Sequence, residues 1–144
     1  TERSRSAGGD GMVISMAGLP AFLLYFVLGA ALIACFVAIY LRLTAHDEIA
    51  LIRGGNLSAA IALGGNVAGF SVPLEKAIAQ ASSIPDLVIW AVAAMIIQFG
   101  AYGLARILIP ELSRKIEEDR LPSAVMLAVI AVISGTLAAA SMTA

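Results

Sequence analysis

Four stretches of this sequence carry no Asp, Glu, Lys or Arg: residues 11–41, 54–74, 87–105 and 121–144. A helix needs roughly 20 apolar residues to cross about 30 Å of hydrocarbon, and each stretch reaches or nearly reaches that length. Polar residues do not recur at helical spacing within them, as they would on the wet face of a soluble helix. With 60% hydrophobic and only 13% charged residues, the 144-residue chain lacks the surface chemistry of a soluble domain. The expected fold is an all-α membrane protein with four transmembrane helices.

Four spans put the first and third connections on one side of the bilayer. Those connections hold Arg42, Arg53, Arg106, Arg114, Lys115 and Arg120, against Arg3, Arg5 and Lys76 on the other side. The positive-inside rule then predicts a multi-pass protein of the inner (plasma) membrane with both termini extracytoplasmic. Residues 1–17, opening "TERSRSAGGDG", are expected to be a flexible leader or an expression remnant. Cys35 has no second cysteine to pair with and is expected to be a small packing residue.

The halves resemble each other. Shifted by 65 residues, "LTAHDEIALIRGGNLSAA" lies over "LIPELSRKIEEDRLPSAV", so that Leu43 meets Leu108 and Ser58 meets Ser123. This predicts two parallel repeats of a two-helix hairpin, 18–80 and 81–144, each carrying a short cytoplasmic interfacial helix. The short helices are expected over 44–54, with Thr44 as N-cap, and over 110–120, with Pro110 in the first turn.

The second span is unusual lipid-facing material: "SAAIALGGNVAGFSVPLEK" holds three glycines, an asparagine and a proline. Its Ala59, Ala62, Asn66, Gly69 and Pro73 share a helical face with Gly65 beside them, and Gly135 lies on a similar face of the fourth span. Small residues permit close backbone approach, so Gly65, Gly69, Pro73 and Gly135 are candidate helix-packing positions. The bulkier first span suits the lipid side, and Pro73 is expected to bend or end its helix. Asn66 and Gln98, each near the middle of its span, form the natural polar pair, either as structural glue or as lining of a hydrated path. Glu75 is a candidate pore mouth. Trp90 suits an interfacial anchor.

The only histidine, His46, stands in "HDE". His46, Asp47 and Glu48, with Arg114 and Lys115 of the third connection, are candidates to face a cytoplasmic partner. No nucleophile elbow, phosphate loop or zinc motif is present. No catalysis, metal, cofactor or nucleic-acid binding is expected.

Several of these residues together resemble a known family: His46-Asp47-Glu48, Gly55-Asn56 leading to Ala59-Ala60, Gly69, Pro73-Leu74, "SIPD" at 83–86, Trp90, Gln98 and "PELSRKI" from Pro110. From about residue 19 onward the chain resembles the domain-of-unknown-function 350 family, the YjfL-type bacterial inner membrane proteins. Glu75-Lys76 stands where that pattern has small polar residues. The resemblance implies four spans built from two copies of a two-span unit, and no assigned activity. Relatives tend to be encoded beside phage-shock-type and glutathionylspermidine-synthase-like proteins, which implies work on membrane or envelope stress. Two functions follow as expectations. One is a homo-oligomer forming a small pore or channel in the lipid bilayer. The other is an anchor or scaffold that recruits a peripheral membrane-stress protein.

Overall fold

The computed structural model describes residues 2–44 and 46–142, with side chains from Met16 onward. The leader expected over 1–17 lies, as far as Ser15, outside the residues whose side chains are described. The described chain is helical: α1 (Glu2–Leu43), α2 (Glu48–Arg53), α3 (Leu57–Gln80), α4 (Ile84–Leu108), α5 (Leu112–Glu117) and α6 (Leu121–Ser141). Four segments are long and apolar enough to cross a membrane: Met16–Leu43, Leu57–Gln80, Ile84–Leu108 and Leu121–Ser141.

The chain divides into two compact units, Thr1–Ala31 and Leu32–Ala144. The first holds most of α1, and its Phe22, Leu23, Phe26 and Val27 are exposed. The second holds the end of α1 and everything after it. Within this second unit α3 and α6 form the most extensive helix pair.

Their seam is built on absent side chains. A Cβ on Gly65 would fall on Ala128, and one on Gly135 would fall on the carbonyl oxygen of Gly69. Pro73 explains why that oxygen is available: proline has no N–H to donate to the carbonyl four residues back, which here is Gly69. The carbonyl turns to α6, whose Gly135 backbone lies against it. A Cα–H of a neighbouring helix is a weak partner for such a group. Of the two outcomes expected for Pro73, bending or ending its helix, the ending does not occur. Pro73 is buried inside α3, which runs on to Gln80.

The end of α1 is also not a lipid-facing surface. Phe36 and Tyr40 are fully buried, and the Phe36 ring stacks on Phe70 at 4.6 Å and on Phe99 at 5.1 Å between centroids. Only the earlier, exposed stretch of α1 has the lipid-side character that its bulk suggests. Cys35, expected in packing, is exposed.

The two short helices are tighter than the sequence suggests, and their register differs from the 65-residue shift. Asp47, not Thr44, caps α2, its Oδ1 accepting from the Ala50 N–H at 3.3 Å. The bonds Gly54 N–H to Ala50 O, Gly55 N–H to Ile52 O and Asn56 N–H to Leu51 O recur 64 residues later. There they join Glu118 to Arg114, Asp119 to Ile116 and Arg120 to Lys115. The left-handed residue of each turn, Gly55 at φ 89° and Asp119 at φ 57°, also falls at this offset.

The turns clasp one another. Asn56 Nδ2 donates to the carbonyls of Ile116 at 2.9 Å and Glu117 at 3.3 Å. In return Asp119 Oδ1 accepts from the Ser58 N–H at 2.9 Å. Both short helices thus lie at the same end of the helices they connect.

Candidate functional site

At this end the second unit encloses a polar cluster in an otherwise aliphatic and aromatic core. Three local features build it. The last turn of α1 carries Tyr40 inward. Thr44 then closes the helix end, its Oγ1 donating to the Leu41 carbonyl at 3.2 Å and to the His46 carbonyl at 3.4 Å. This folds the connection back so that His46 points inward. Asp47, used as the α2 cap, stays exposed. Its neighbour Glu48 lies about a third of a helical turn away and faces the interior.

Glu48 is 1% exposed, His46 4%, Asn66 1% and Tyr40 0%. His46 Nε2 lies 2.9 Å from Glu48 Oε1. The Tyr40 hydroxyl donates to the same oxygen at 3.2 Å, and Asn66 Nδ2 donates to that hydroxyl at 3.3 Å. Asn66 Nδ2 also reaches the Ala62 carbonyl at 2.8 Å. Tyr102 of α4 meets the Tyr40 ring edge-on at 5.4 Å, and its hydroxyl faces Ser113, Arg106 and Glu48 without closing a hydrogen bond.

Against an ionised Glu48, which can only accept, Nε2 must carry the imidazole proton. Every bond to the pair then uses Nε2 and Oε1. Nδ1 of His46 and Oε2 of Glu48 are buried without a partner, as are the hydroxyls of Tyr102 and Ser113. Buried polar atoms in folded proteins are nearly always paired, so two orphans on one bonded acid–histidine pair, Nδ1 and Oε2, mark this place out. Among the described residues no group of three or more His, Cys, Asp or Glu side chains is arranged to hold a metal ion.

Asn66 and Gln98 do not bond to each other, contrary to the expected pair. Gln98 Nε2 donates to the Ala131 carbonyl at 2.8 Å and lies where a side chain on Gly69 would have to go. The physical reason is the α3–α6 seam: its glycines open a slot that the α4 amide fills, leaving Asn66 to turn towards Tyr40. Each amide closes onto a backbone carbonyl, a role in packing that contributes about 0.6–2 kcal/mol per bond.

The remaining sequence-singled residues lie apart from this cluster. Glu75 is exposed and, with Val72, Lys76, Ala79 and Ala139, lines an open groove of about 320 Å³. Arg114 is exposed and ion-paired with Glu111 and Glu118 of its own turn, and Lys115 beside it is half-buried. Of the His46-Asp47-Glu48 triplet only Asp47 faces outward. The clasp has its own electrostatic signature: the Ser58 N–H holds the Asp119 carboxyl below its ordinary value. Tyr40 and Tyr102 were not singled out from the sequence. The available signal was a tyrosine in the last turn before a connection holding a histidine and two acids.

Comparison with known proteins gives one consistent result. The chain matches the family described as Domain of Unknown Function (DUF350) over residues 14–142. It is 35% identical over 125 residues to the UPF0719 inner membrane protein YjfL of Escherichia coli strain K12, covering 87% of this chain and 95% of that protein. The same figures hold for YjfL of Escherichia coli O157:H7. No solved structure gives a significant match.

Proposed function

This chain belongs to the DUF350 family, and on that premise we propose that it is a multi-pass bacterial inner membrane protein that self-associates into a small permeation path serving membrane integrity under stress. The observation that carries this reading is the position of the Glu75–Lys76 groove. It lies on the outside of the protomer, between the late turns of α3 and Ala139 of α6. The mid-span amides Asn66 and Gln98, by contrast, are sealed inside. A groove that carries an acid and a lysine on an outer face at the end of a span becomes a passage only when a second copy closes it. Glu75 would then stand at the mouth, while Asn66 and Gln98 serve packing.

The protomer itself reads as a duplicated hairpin with parallel halves, which the hydrogen bonds repeated at an offset of 64 residues support. The excess of Arg and Lys around α2 and α5 favours a cytoplasmic location for that end, with both termini on the opposite side. In this reading α2 and α5 lie at the membrane interface. The link to stress rests on the family's association with phage-shock-type neighbours.

A scaffold role is the second reading. It is favoured by the mixed charge of α5 and by the open groove that Asp47, Ala50, Leu51 and Glu117 form at the same end. One set of measurements separates the two. Pure protein in liposomes should conduct small ions, run as more than one copy per nanodisc particle, and lose conductance in Glu75→Gln. A monomeric particle without conductance removes the path. If charge reversal of Arg114 and Lys115 then strips a co-purifying protein, the scaffold takes its place.

A further inference from the structure

We infer that His46 and Glu48 form a buried binding site for a single proton. This goes beyond the permeation reading and stands whether or not copies assemble. The first observation is the pair's hydrogen bonding. Tyr40 and His46 Nε2 both meet Glu48 Oε1, while Oε2 and His46 Nδ1 are enclosed with no partner. One proton can therefore be added at Nδ1 without breaking a bond. The ring becomes an imidazolium that still donates from Nε2 to the carboxylate, and no other covalent bond changes.

Charge supplies the direction. A carboxylate beside a neutral imidazole is one uncompensated negative charge removed from water, whereas the protonated ring and carboxylate sum to zero. Uncompensated buried charge is among the most costly features a core can hold. The groups around the pair are the hydroxyls of Tyr40 from α1 and Tyr102 from α4, the amide of Asn66 from α3 through Tyr40, and Ser113 of α5 and Arg106 of α4 near the Tyr102 hydroxyl. Of these only Arg106 carries a positive charge, and it is exposed to solvent, which screens it.

The second observation is independent and comes from the other turn. In the hydrogen-bond register that repeats after 64 residues, Glu48 corresponds to Leu112. Leu112 opens α5 as Glu48 opens α2, and it is 3% exposed. A short helix with the same closing bonds accepts a leucine at its opening position, although it is entered through a left-handed Glu111 where α2 is entered through Asp47 at φ −85°. The helix that carries Glu48 therefore does not by itself demand the buried Glu48–His46 pair.

The histidine is the only one in the chain, which makes the test direct. Full-length protein labelled with ¹⁵N-histidine, purified through a tag without histidine and held in nanodiscs, gives ring signals from His46 alone. Between about pH 9 and pH 4, the expected change is from a single Nε2-protonated tautomer to a doubly protonated ring that keeps its Nε2 hydrogen bond. In Glu48→Gln, which keeps shape and an acceptor but not the charge, the doubly protonated buried form should be lost. In Tyr40→Phe it should persist. Wild-type ring signals that stay constant over this range overturn the inference without any variant. A change that is identical in Glu48→Gln overturns it as well, since the ring would then be titrating independently of the acid.

Discussion

The turn from Asp47 to Asn56 and the turn from Glu111 to Arg120 close with the same backbone hydrogen bonds but divide the chemistry between them. The first is entered through Asp47 at φ −85° and the second through a left-handed Glu111 at φ 56°. Each is a six-residue helix closed by the same set of backbone hydrogen bonds and one left-handed residue. In the first, the opening helical position is an acid bonded to a histidine and a tyrosine. In the second it is leucine packed with Ile116, Tyr102 and Leu127. The first turn also caps the following span through Asn56, while Arg120 makes no side-chain cap. A shared closing pattern thus accompanies polar chemistry in one turn and packing in the other. The comparison separates what the fold requires from what it merely tolerates.

The largest expected effect bears on the packing side. Leu112→Ala should cost about 2–5 kcal/mol, the range for emptying a buried leucine site. Replacing the polar pair together with the hydroxyl that donates to it, Glu48→Leu with His46→Leu and Tyr40→Phe, should leave stability within about 1 kcal/mol of the wild type, because no bonded partner of the acid is left stranded. Equilibrium unfolding in mixed detergent measures both. A triple variant as damaged as Leu112→Ala would mean that the acid is structural after all.

Next in size is the difference between the caps. Asn56→Ala loses its bond from the Ala59 N–H together with its ties to the Ile116 and Glu117 carbonyls, and should cost about 1–2 kcal/mol. Arg120→Ala should stay within about 0.5 kcal/mol, as surface changes do. Equal losses at the two positions would break the asymmetry.

The smallest effect is the acid response of the clasp. The Asp119 carboxyl is held below its ordinary value by the Ser58 N–H. Its contribution to stability is therefore fully present above the unfolded value near about pH 4. It is lost as the pH falls through the lower folded value. Acid should loosen the contact between the turns, read as faster amide exchange at Ser58. Asp119→Asn should flatten that dependence.

Much of this architecture is legible in the sequence. Four charge-free stretches can only become helices in hydrocarbon, where backbone groups have no water to bond. The small residues of the second and fourth spans likewise pointed to close helix approach. What was not legible was direction. Asn66 and Gln98 look like partners because both are amides at similar depth, yet the α3–α6 seam admits the glutamine and turns the asparagine away. The local pattern around Pro73 reads as a bend or a stop, and α3 runs on past it to Gln80 with the freed Gly69 carbonyl against Gly135. The matching bonds at the ends of the two short helices recur at an offset of 64 residues rather than the 65 of the sequence comparison, since side-chain similarity between apolar hairpins is weak.

The sequence by itself determined that this chain spans a membrane and which residue types must hide from oil, because the cost of burying charge or bare backbone in hydrocarbon depends on composition and length alone. Whether the acid at position 48 faces water or a histidine, a tyrosine and a closed core was decided by tertiary structure. That choice depends on how one short helix is rotated against three others, and no linear pattern encodes such a rotation.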